Sequence, residues 1–185
     1  MVALTLNDDG NTERTLAIAA DEAVRLNAPL LVATTGGDTA VAALRVATER
    51  NIKDRLVIIS HVYGSREPGK NAIKEECRKA LTDANVRIIT AAHALSGAER
   101  AMSTKFRGVY PVEIIAHTLR MFSQGVKVAV EIAAMALDAG AIPYGAPVVA
   151  VGGTGRGADT ATVLTPANTQ DIFSTKIHEI LCKPY

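Results

Sequence analysis

Two glycine-rich stretches place backbone N–H groups, hydroxyls and a cation where they suit a bound anion. TTGGDT (Thr34 to Thr39) follows an apolar run and opens a helical pattern, whereas GGTGRGADT (Gly152 to Thr160) lies between two apolar, β-branched runs. Glycines let a ligand approach the backbone, a helix start attracts anions, and Arg156 adds a planar cation. The glycines of the second stretch fit neither the phosphate-loop motif nor the G-x-G-x-x-G motif. The residues therefore predict an anion site without naming the anion.

Each stretch also has a plainer interpretation. The first is equally a tight βα turn with Asp38 or Thr39 as the helix cap, and a carboxylate at Asp38 competes with an anion for the same donors. The alternative for the second is a flexible hairpin in which Arg156 is solvated or pairs with Asp159, but four glycines exceed what a simple turn needs and therefore favour binding. The predicted binding residues in the two stretches are Thr34, Thr35, Gly36, Gly37, Asp38, Thr39, Gly152, Gly153, Thr154, Gly155, Arg156, Gly157, Ala158, Asp159 and Thr160.

Two further polar stretches carry candidate chemistry. In SHVYGSREPG (Ser60 to Gly69), His61 suits proton transfer or a structural hydrogen bond, and Tyr63 suits stacking on a ring or covering the core. His61, Tyr63 and Gly64 join the predicted binding residues. In the long polar segment from Ala92 to Pro111, His93 and Ser96 resemble a base and a nucleophile, but no nucleophile elbow or third member accompanies them.

The histidines at 61, 93, 117 and 178 are dispersed, with no H-x-x-x-H pair. This spacing predicts no metal site, because zinc ligands usually recur at short intervals.

Alternating strand and helix patterns position these stretches. Helical periodicity predicts helices at Asn11–Asn27, Asp38–Arg50, Ile73–Ala84, Pro111–Phe122, Val126–Ala139 and Asp171–Lys183. Short apolar runs predict strands at Leu30–Thr34, Arg55–Ser60, Val86–Thr90, Val148–Gly152 and Thr160–Thr165. A short loop separates the last two strands, so they form a hairpin. We predict a single three-layer α/β domain (1–185) with a mainly parallel sheet, helices on both faces and an antiparallel edge hairpin. The loops after the strands then share one edge.

Composition restricts the class of protein. The chain has 185 residues, 20 basic and 19 acidic side chains, and a net charge of +1. This balance gives no long-range attraction for nucleic acid or an anionic membrane, so we predict neither as a partner. No apolar stretch is long enough to span a membrane. Cys77 and Cys182 are far apart and suit reduced thiols, so a cytoplasmic protein is predicted.

The order of elements resembles the C-terminal α/β domain of pyruvate kinase. In that domain, one strand runs into a loop that opens a helix and a late strand runs into a glycine-rich loop. The two loops hold the phosphates of an allosteric sugar bisphosphate. LLVATTGGDTAVAAL and VVAVGGTGRGADTATVLTP are the corresponding stretches here. The phrases HALSG, GVYPVEIIA, TLRMF, QGVKV and VGGTGRGADTA resemble more closely a family of small archaeal and bacterial stand-alone proteins that are like this domain.

The resemblance implies a site rather than a reaction. Members of that family are associated with flavin mononucleotide (FMN), which makes FMN the expected cofactor and a phosphorylated small molecule the expected partner. Gly36 and Asp38 stand where the kinase domain has Ser and Arg, which argues against a sugar bisphosphate. The kinase's catalytic barrel is not in this sequence, so we expect no pyruvate kinase activity. A flavin-dependent oxidoreductase and a regulatory subunit that retains a sugar-phosphate pocket are the alternatives. Because the kinase domains pair with each other, the resemblance is compatible with a homo-oligomer.

For an FMN-like ligand we expect the first stretch to hold the phosphate. The expected donors are the N–H groups of Gly36, Gly37, Asp38 and Thr39 and the hydroxyls of Thr35 and Thr39. A helix start supplies convergent donors, whereas the glycine loop from Gly153 to Thr160 closes over the ligand and brings Arg156 to it.

Overall fold

A computed structural model describes residues 1–5, 8 and 11–185 of the chain. Its strands are β1 (Val2–Leu4), β2 (Leu30–Thr34), β3 (Leu56–Ser60), β4 (Arg87–Thr90), β5 (Val148–Gly152), β6 (Thr160–Thr165) and β7 (Lys176–Pro184). Its α-helices are α1 (Asn11–Leu26), α2 (Asp38–Glu49), α3 (Glu75–Asp83), α4 (Glu99–Phe106), α5 (Pro111–Arg120) and α6 (Gln124–Asp138). Short 3-10 helices lie at Lys53–Arg55 and Thr169–Ser174.

The described strands form one sheet in the order β1-β7-β6-β5-β2-β3-β4. β2 pairs in parallel with both β3 and β5, β3 with β4, and β1 with β7, whereas β6 runs antiparallel to β5 and β7. The sheet is therefore mainly parallel, and the predicted α/β class is confirmed. The predicted β5–β6 hairpin is also present, and β7 and β1 extend the sheet beyond it.

Helices cover both faces of the sheet, as predicted. Consecutive strand residues point to opposite sides, so each central strand contributes apolar side chains to both helix layers. Leu30 and Val32 of β2 pack with α1, α2 and α3 in one apolar cluster. Leu31 of the same strand packs with α6 in a second cluster. The near-continuous apolar runs of β2, β3 and β5 are what a sheet covered on both faces requires.

Most predicted elements are confirmed with small differences at their ends. β2, β5 and β6 have the predicted bounds, and α1, α2 and β3 differ from theirs by one residue at one end. The predicted helix from Ile73 begins only at Glu75, since Asn71 Oδ1 accepts the N–H of Ile73 in a turn before it. No described helix is long and apolar enough to cross a membrane.

The predicted closing helix, Asp171–Lys183, is wrong. Thr169–Ser174 forms a 3-10 helix and Lys176–Pro184 forms strand β7. The spacing of Ile177, Ile180 and Leu181 matches a helix, but pairing with β6 and β1 determines the structure of this segment. Local periodicity is a weaker determinant than two sheet partners.

Two elements were absent from the sequence prediction. Helix α4 lies within the segment predicted as a long polar loop, and none of its residues is buried. Strand β1 has three residues and gains its partners only from β7. A short exposed helix and a three-residue strand leave little periodicity to detect.

Candidate functional site

A cleft of about 1120 Å³ opens at the carboxyl ends of β2, β3 and β5. Thr34 ends β2, Ser60 ends β3, and the loop after Gly152 forms a further wall. In an open parallel sheet the loops at this edge form the usual ligand-binding crevice. Predicted residues that line the cleft are Thr34, Thr35, Gly36, Asp38, Thr39, His61, Gly153, Thr154, Gly155, Arg156, Gly157, Ala158 and Asp159. The two glycine-rich stretches therefore converge.

The two glycines of the β2–α2 loop, Gly36 and Gly37, have different roles. The N–H of Gly37 donates to Thr34 Oγ1 at 3.1 Å, so it is not a free donor for a ligand as expected. Gly37 has a φ of 104°, and a Cβ there would lie 2.4 Å from Cys77 Cβ on α3. By contrast, the N–H of Gly36 donates to no acceptor in the part of the chain that the structure describes. Gly36 lines the cleft.

Lys74 supplies a cation at this loop that the sequence analysis missed. Its backbone N–H donates to Gly36 O at 2.9 Å, and its Nζ lies 2.7 Å from Asp38 Oδ1. The hydrogen bond from Lys74, with further attraction from Arg156, lowers the pKa of Asp38 from its ordinary value. Asp38 therefore stays ionised. No side chain caps α2, whose N-cap is Gly37.

Hydrogen bonds hold the two ends of the β5–β6 loop, whereas its middle is exposed to solvent. Asp159 is buried, and its carboxylate accepts hydrogen bonds from the Thr154 N–H at 2.9 Å and the Thr160 hydroxyl at 2.7 Å. The N–H of Ala158 donates to Thr12 Oγ1 at 3.0 Å. Arg156 is exposed and forms none of the described contacts of Asp159. The proposed Arg156–Asp159 pair is thus absent from the described structure.

Five predicted residues lie outside the cleft lining: Gly37, Tyr63, Gly64, Gly152 and Thr160. Tyr63 is 60% exposed and borders a separate small depression. Gly64 donates its N–H to Lys70 O within its own loop. A Cβ at Gly152 would lie 2.5 Å from Gly125 O, so this glycine allows β5 to approach α6. Thr160 is buried beneath the loop.

A chain of hydrogen bonds leads from the cleft into α6. His61 Nδ1 and His93 Nε2 are 3.1 Å apart, and His93 Nδ1 lies 3.1 Å from Glu131 Oε2. Glu131 also accepts the Leu95 N–H at 2.9 Å and the Lys127 Nζ at 2.5 Å. Its side chain is 2% exposed, against 26% for His93. The His93 side chain therefore contacts His61 and Glu131, whereas Ser96 reaches His93 only through its backbone N–H, which donates to His93 O at 3.3 Å.

The buried pair sets the charge of this network. Burial alone raises the pKa of Glu131, but the hydrogen bond from His93 and the Lys127 ammonium outweigh it and hold the pKa at about 2. Burial pulls the pKa of Lys127 down, against the attraction of Glu131. With three donors on its carboxylate, Glu131 is ionised. Burial, assisted by His93, also lowers the pKa of His61.

Sequence reasoning found the loops and both histidines but missed Glu131, Lys127, Lys74 and Arg66, which also line or support the cleft. Glu131 and Lys127 lie in an apolar helix as an ordinary i, i+4 pair, and nothing local distinguishes them. Among the residues that the structure describes, no group of three His, Cys, Asp or Glu is arranged to hold a metal ion.

Parallel strands with helices on both faces and a cleft at their carboxyl ends define a doubly covered α/β domain. Residues 13–164 match the family described as pyruvate kinase, alpha/beta domain. This match covers more than half of the 185 residues, so the chain belongs to that family. The resemblance read from the sequence motifs is confirmed.

Proposed function

We propose that this protein binds a phosphate-bearing small molecule, FMN in the first instance, in the cleft between its two glycine-rich loops. One observation carries the proposal: both glycine-rich loops line the same cleft, together with two cations. The N–H of Gly36 and the start of α2 suit an anion, and Lys74 and Arg156 supply positive charge.

The cleft also has a wall that suits an apolar ring. Side chains from β3 and α6 line it beside the polar loops, namely Ile59, Val128, Ile132 and Met135. Small-molecule sites typically combine such an apolar lining with a few polar groups that fix orientation. In this arrangement the loops hold the phosphate and the aliphatic wall takes the isoalloxazine ring. Bound FMN would supply a group that accepts and returns electrons.

Comparing FMN with riboflavin tests the proposal, because riboflavin has the same ring without the phosphate. We expect protein purified without added ligand to show a flavin spectrum or, after removal of flavin, to bind FMN at least ten times more tightly than riboflavin. This ratio corresponds to about one charge-assisted hydrogen bond of roughly 1.4 kcal/mol or more. Equal affinity would contradict the phosphate assignment, and no binding of either would contradict the flavin.

The same purified protein distinguishes the two alternative functions. Turnover with a nicotinamide donor would indicate an oxidoreductase, and a co-purifying larger subunit would favour the regulatory alternative. A homo-oligomer stays a prediction, which sedimentation tests directly. A cytoplasmic location also stays a prediction. We expect no turnover of phosphoenolpyruvate and ADP, which a coupled assay measures.

A further inference from the structure

The two histidines at the cleft form a directional chain whose proton positions follow from Glu131. An ionised carboxylate only accepts hydrogen bonds, so His93 Nδ1 must donate to Glu131 Oε2. In neutral His93 the other nitrogen, Nε2, is then the acceptor, and the facing His61 Nδ1 must donate to it. This assignment leaves the lone pair of His61 on Nε2.

The free nitrogen belongs to a residue that lines the cleft. His61 is half-buried at the end of β3, and its Nε2 makes no hydrogen bond with any described residue. The two imidazole rings have centroids 4.5 Å apart and are tilted by 59°, so His93 fixes the ring of His61 through one nitrogen only. Anchoring of the Leu95 segment explains why Glu131 is buried. It does not explain a second histidine that ends in an open nitrogen.

We propose that His61 is a general base that removes a proton from a carbon acid bound in this cleft, with His93 and Glu131 as positioning residues. The class of substrate is a compound whose acidic C–H reaches the histidine side of the cleft. The inference rests on the proposed function only in that the ligand enters the same cleft.

The proton transfer balances within the chain. The C–H bond breaks, an N–H bond forms at His61 Nε2, and the electron pair stays on the substrate as its carbanion or enolate. The Nδ1 proton of His61 can then pass to His93 Nε2, which places the positive charge beside the Glu131 carboxylate. Return of the proton to the substrate reverses both steps.

The charges around the imidazole favour a base over an acid. Burial, His93, Arg66 and Lys127 disfavour the protonated form of His61, and Glu131 alone opposes them. A histidine that is neutral near pH 7 suits general base catalysis because most of the protein carries the free lone pair.

Nitrobenzisoxazole provides a probe that needs neither cofactor nor phosphate. A base removes its ring C–H, the N–O bond breaks, and a coloured cyanonitrophenolate is released. We expect the purified protein to accelerate this elimination above the buffer rate. We expect His61→Ala to lose about 100-fold, within the usual contribution of a general base. His117→Ala is the matched control, because His117 is exposed on α5 and distant in sequence from the network.

The pH profile distinguishes positioning from mere structural support. We expect the parent rate to rise to a plateau with increasing pH as His61 loses its proton. Glu131→Gln keeps the acceptor for Leu95 but removes the negative charge, so the rise should move to lower pH. Thermal unfolding establishes that each variant is folded, and His93→Gln provides a second positioning variant if Glu131→Gln does not fold. An unshifted profile in a folded positioning variant would overturn their role.

The outcomes separate this inference from the flavin proposal. Elimination at the parent rate in His61→Ala, or no acceleration by the parent, overturns the general base whether or not FMN binds. Elimination that depends on His61 in a protein that does not bind FMN supports the base and contradicts the proposed ligand. Inhibition of the elimination by FMN supports both, because it shows that probe and flavin share the cleft.

Discussion

Glu131–Lys127 and Asp38–Lys74 are carboxylate–ammonium pairs on the same cleft, with shortest N···O distances of 2.5 and 2.7 Å. The first pair has side chains that are 2% and 6% exposed, whereas the second has side chains that are 72% and 50% exposed. Similar distances therefore describe very different energetics. A buried charge without its partner is costly, but an exposed pair exchanges its contacts with water at little cost.

This difference divides the cleft into a rigid end and an adaptable end. At the buried end, the Glu131 carboxylate accepts hydrogen bonds from Lys127 of α6, from His93 and from the Leu95 N–H. These bonds hold α6 and the segment at His93 and Leu95 together. At the exposed end, Lys74 is free to leave Asp38 for an incoming anion, and Arg156 is an exposed cation near the same carboxylate. The buried end therefore suits the placement of a reacting group, and the exposed end suits the capture of a charged one.

Removal of one carboxylate from each pair should show the largest contrast. Glu131→Ala leaves Lys127 as a buried charge without a partner and the Leu95 N–H without an acceptor. We expect it to lower the free energy of unfolding by about 3–5 kcal/mol. Asp38→Ala is the matched variant and should leave the denaturation midpoint nearly unchanged. Urea denaturation measures both, and equal losses would refute the distinction between the two ends.

Acid should weaken the buried end selectively. The pKa of Glu131 is held at about 2, below its ordinary value of 4.5, so the unfolded chain takes up this proton first as the pH falls. The stabilisation is complete above pH 4.5 and is lost between there and about 2. It amounts to something on the order of 3 kcal/mol. Urea unfolding at a series of pH values should give a flatter dependence for Glu131→Gln, and parallel curves would argue against the shift.

Arg156 tests the exposed end through binding rather than stability. A charge-assisted hydrogen bond contributes roughly 1.5–3 kcal/mol, so Arg156→Ala should weaken FMN binding by about one to two orders of magnitude. Calorimetry measures the affinity, and Arg14→Ala on α1 is the control because Arg14 is exposed and does not line the cleft. If both variants bind FMN like the parent, Arg156 does not contact the phosphate.

The smallest expected effect is a gain. Asp38→Asn removes a carboxylate that repels phosphate and competes for Lys74, so FMN should bind up to about five times more tightly at low salt. The gain should fade as salt screens these exposed charges. Titrations at two ionic strengths measure this, and weaker binding at low salt would mean that Asp38 assists the ligand.

The parts of the fold that sequence predicted are those where one element carries its own pattern. The apolar runs of β2 and β5 and the helical periods of α1 and α2 are local signals, and the structure confirms them. The prediction for β7 is wrong because the structure of this segment depends on partners at Ala161–Thr165 and Val2–Leu4, which lie elsewhere in the chain. The spacing of apolar residues at three or four positions carries no information about such distant partners.

The same distinction applies to the candidate site. Glycine-rich loops are recognisable in the local sequence, so sequence analysis identified both of them together with Arg156. Lys74 reaches Asp38 across 36 positions, and Glu131 reaches His93 across 38. Only the packing of α3 beside α2 and of α6 against the sheet brings these groups together. The N–H of Gly37 was misjudged for a local reason, because it donates to Thr34 Oγ1 three residues earlier, whereas the close packing against Cys77 is a long-range contact.

The pairing of β1 with β7 fixes the order in which the chain can finish folding during synthesis. Val2, Ala3 and Leu4 pair with Cys182, Lys183 and Pro184, and the Tyr185 N–H donates to Leu4 O. Strand β1 therefore waits for β7, which is synthesised much later, although β2 to β5 meet much sooner. A nascent chain arrested before β7 emerges should leave residues 2–4 open to proteases while the β2–β3 unit is already protected.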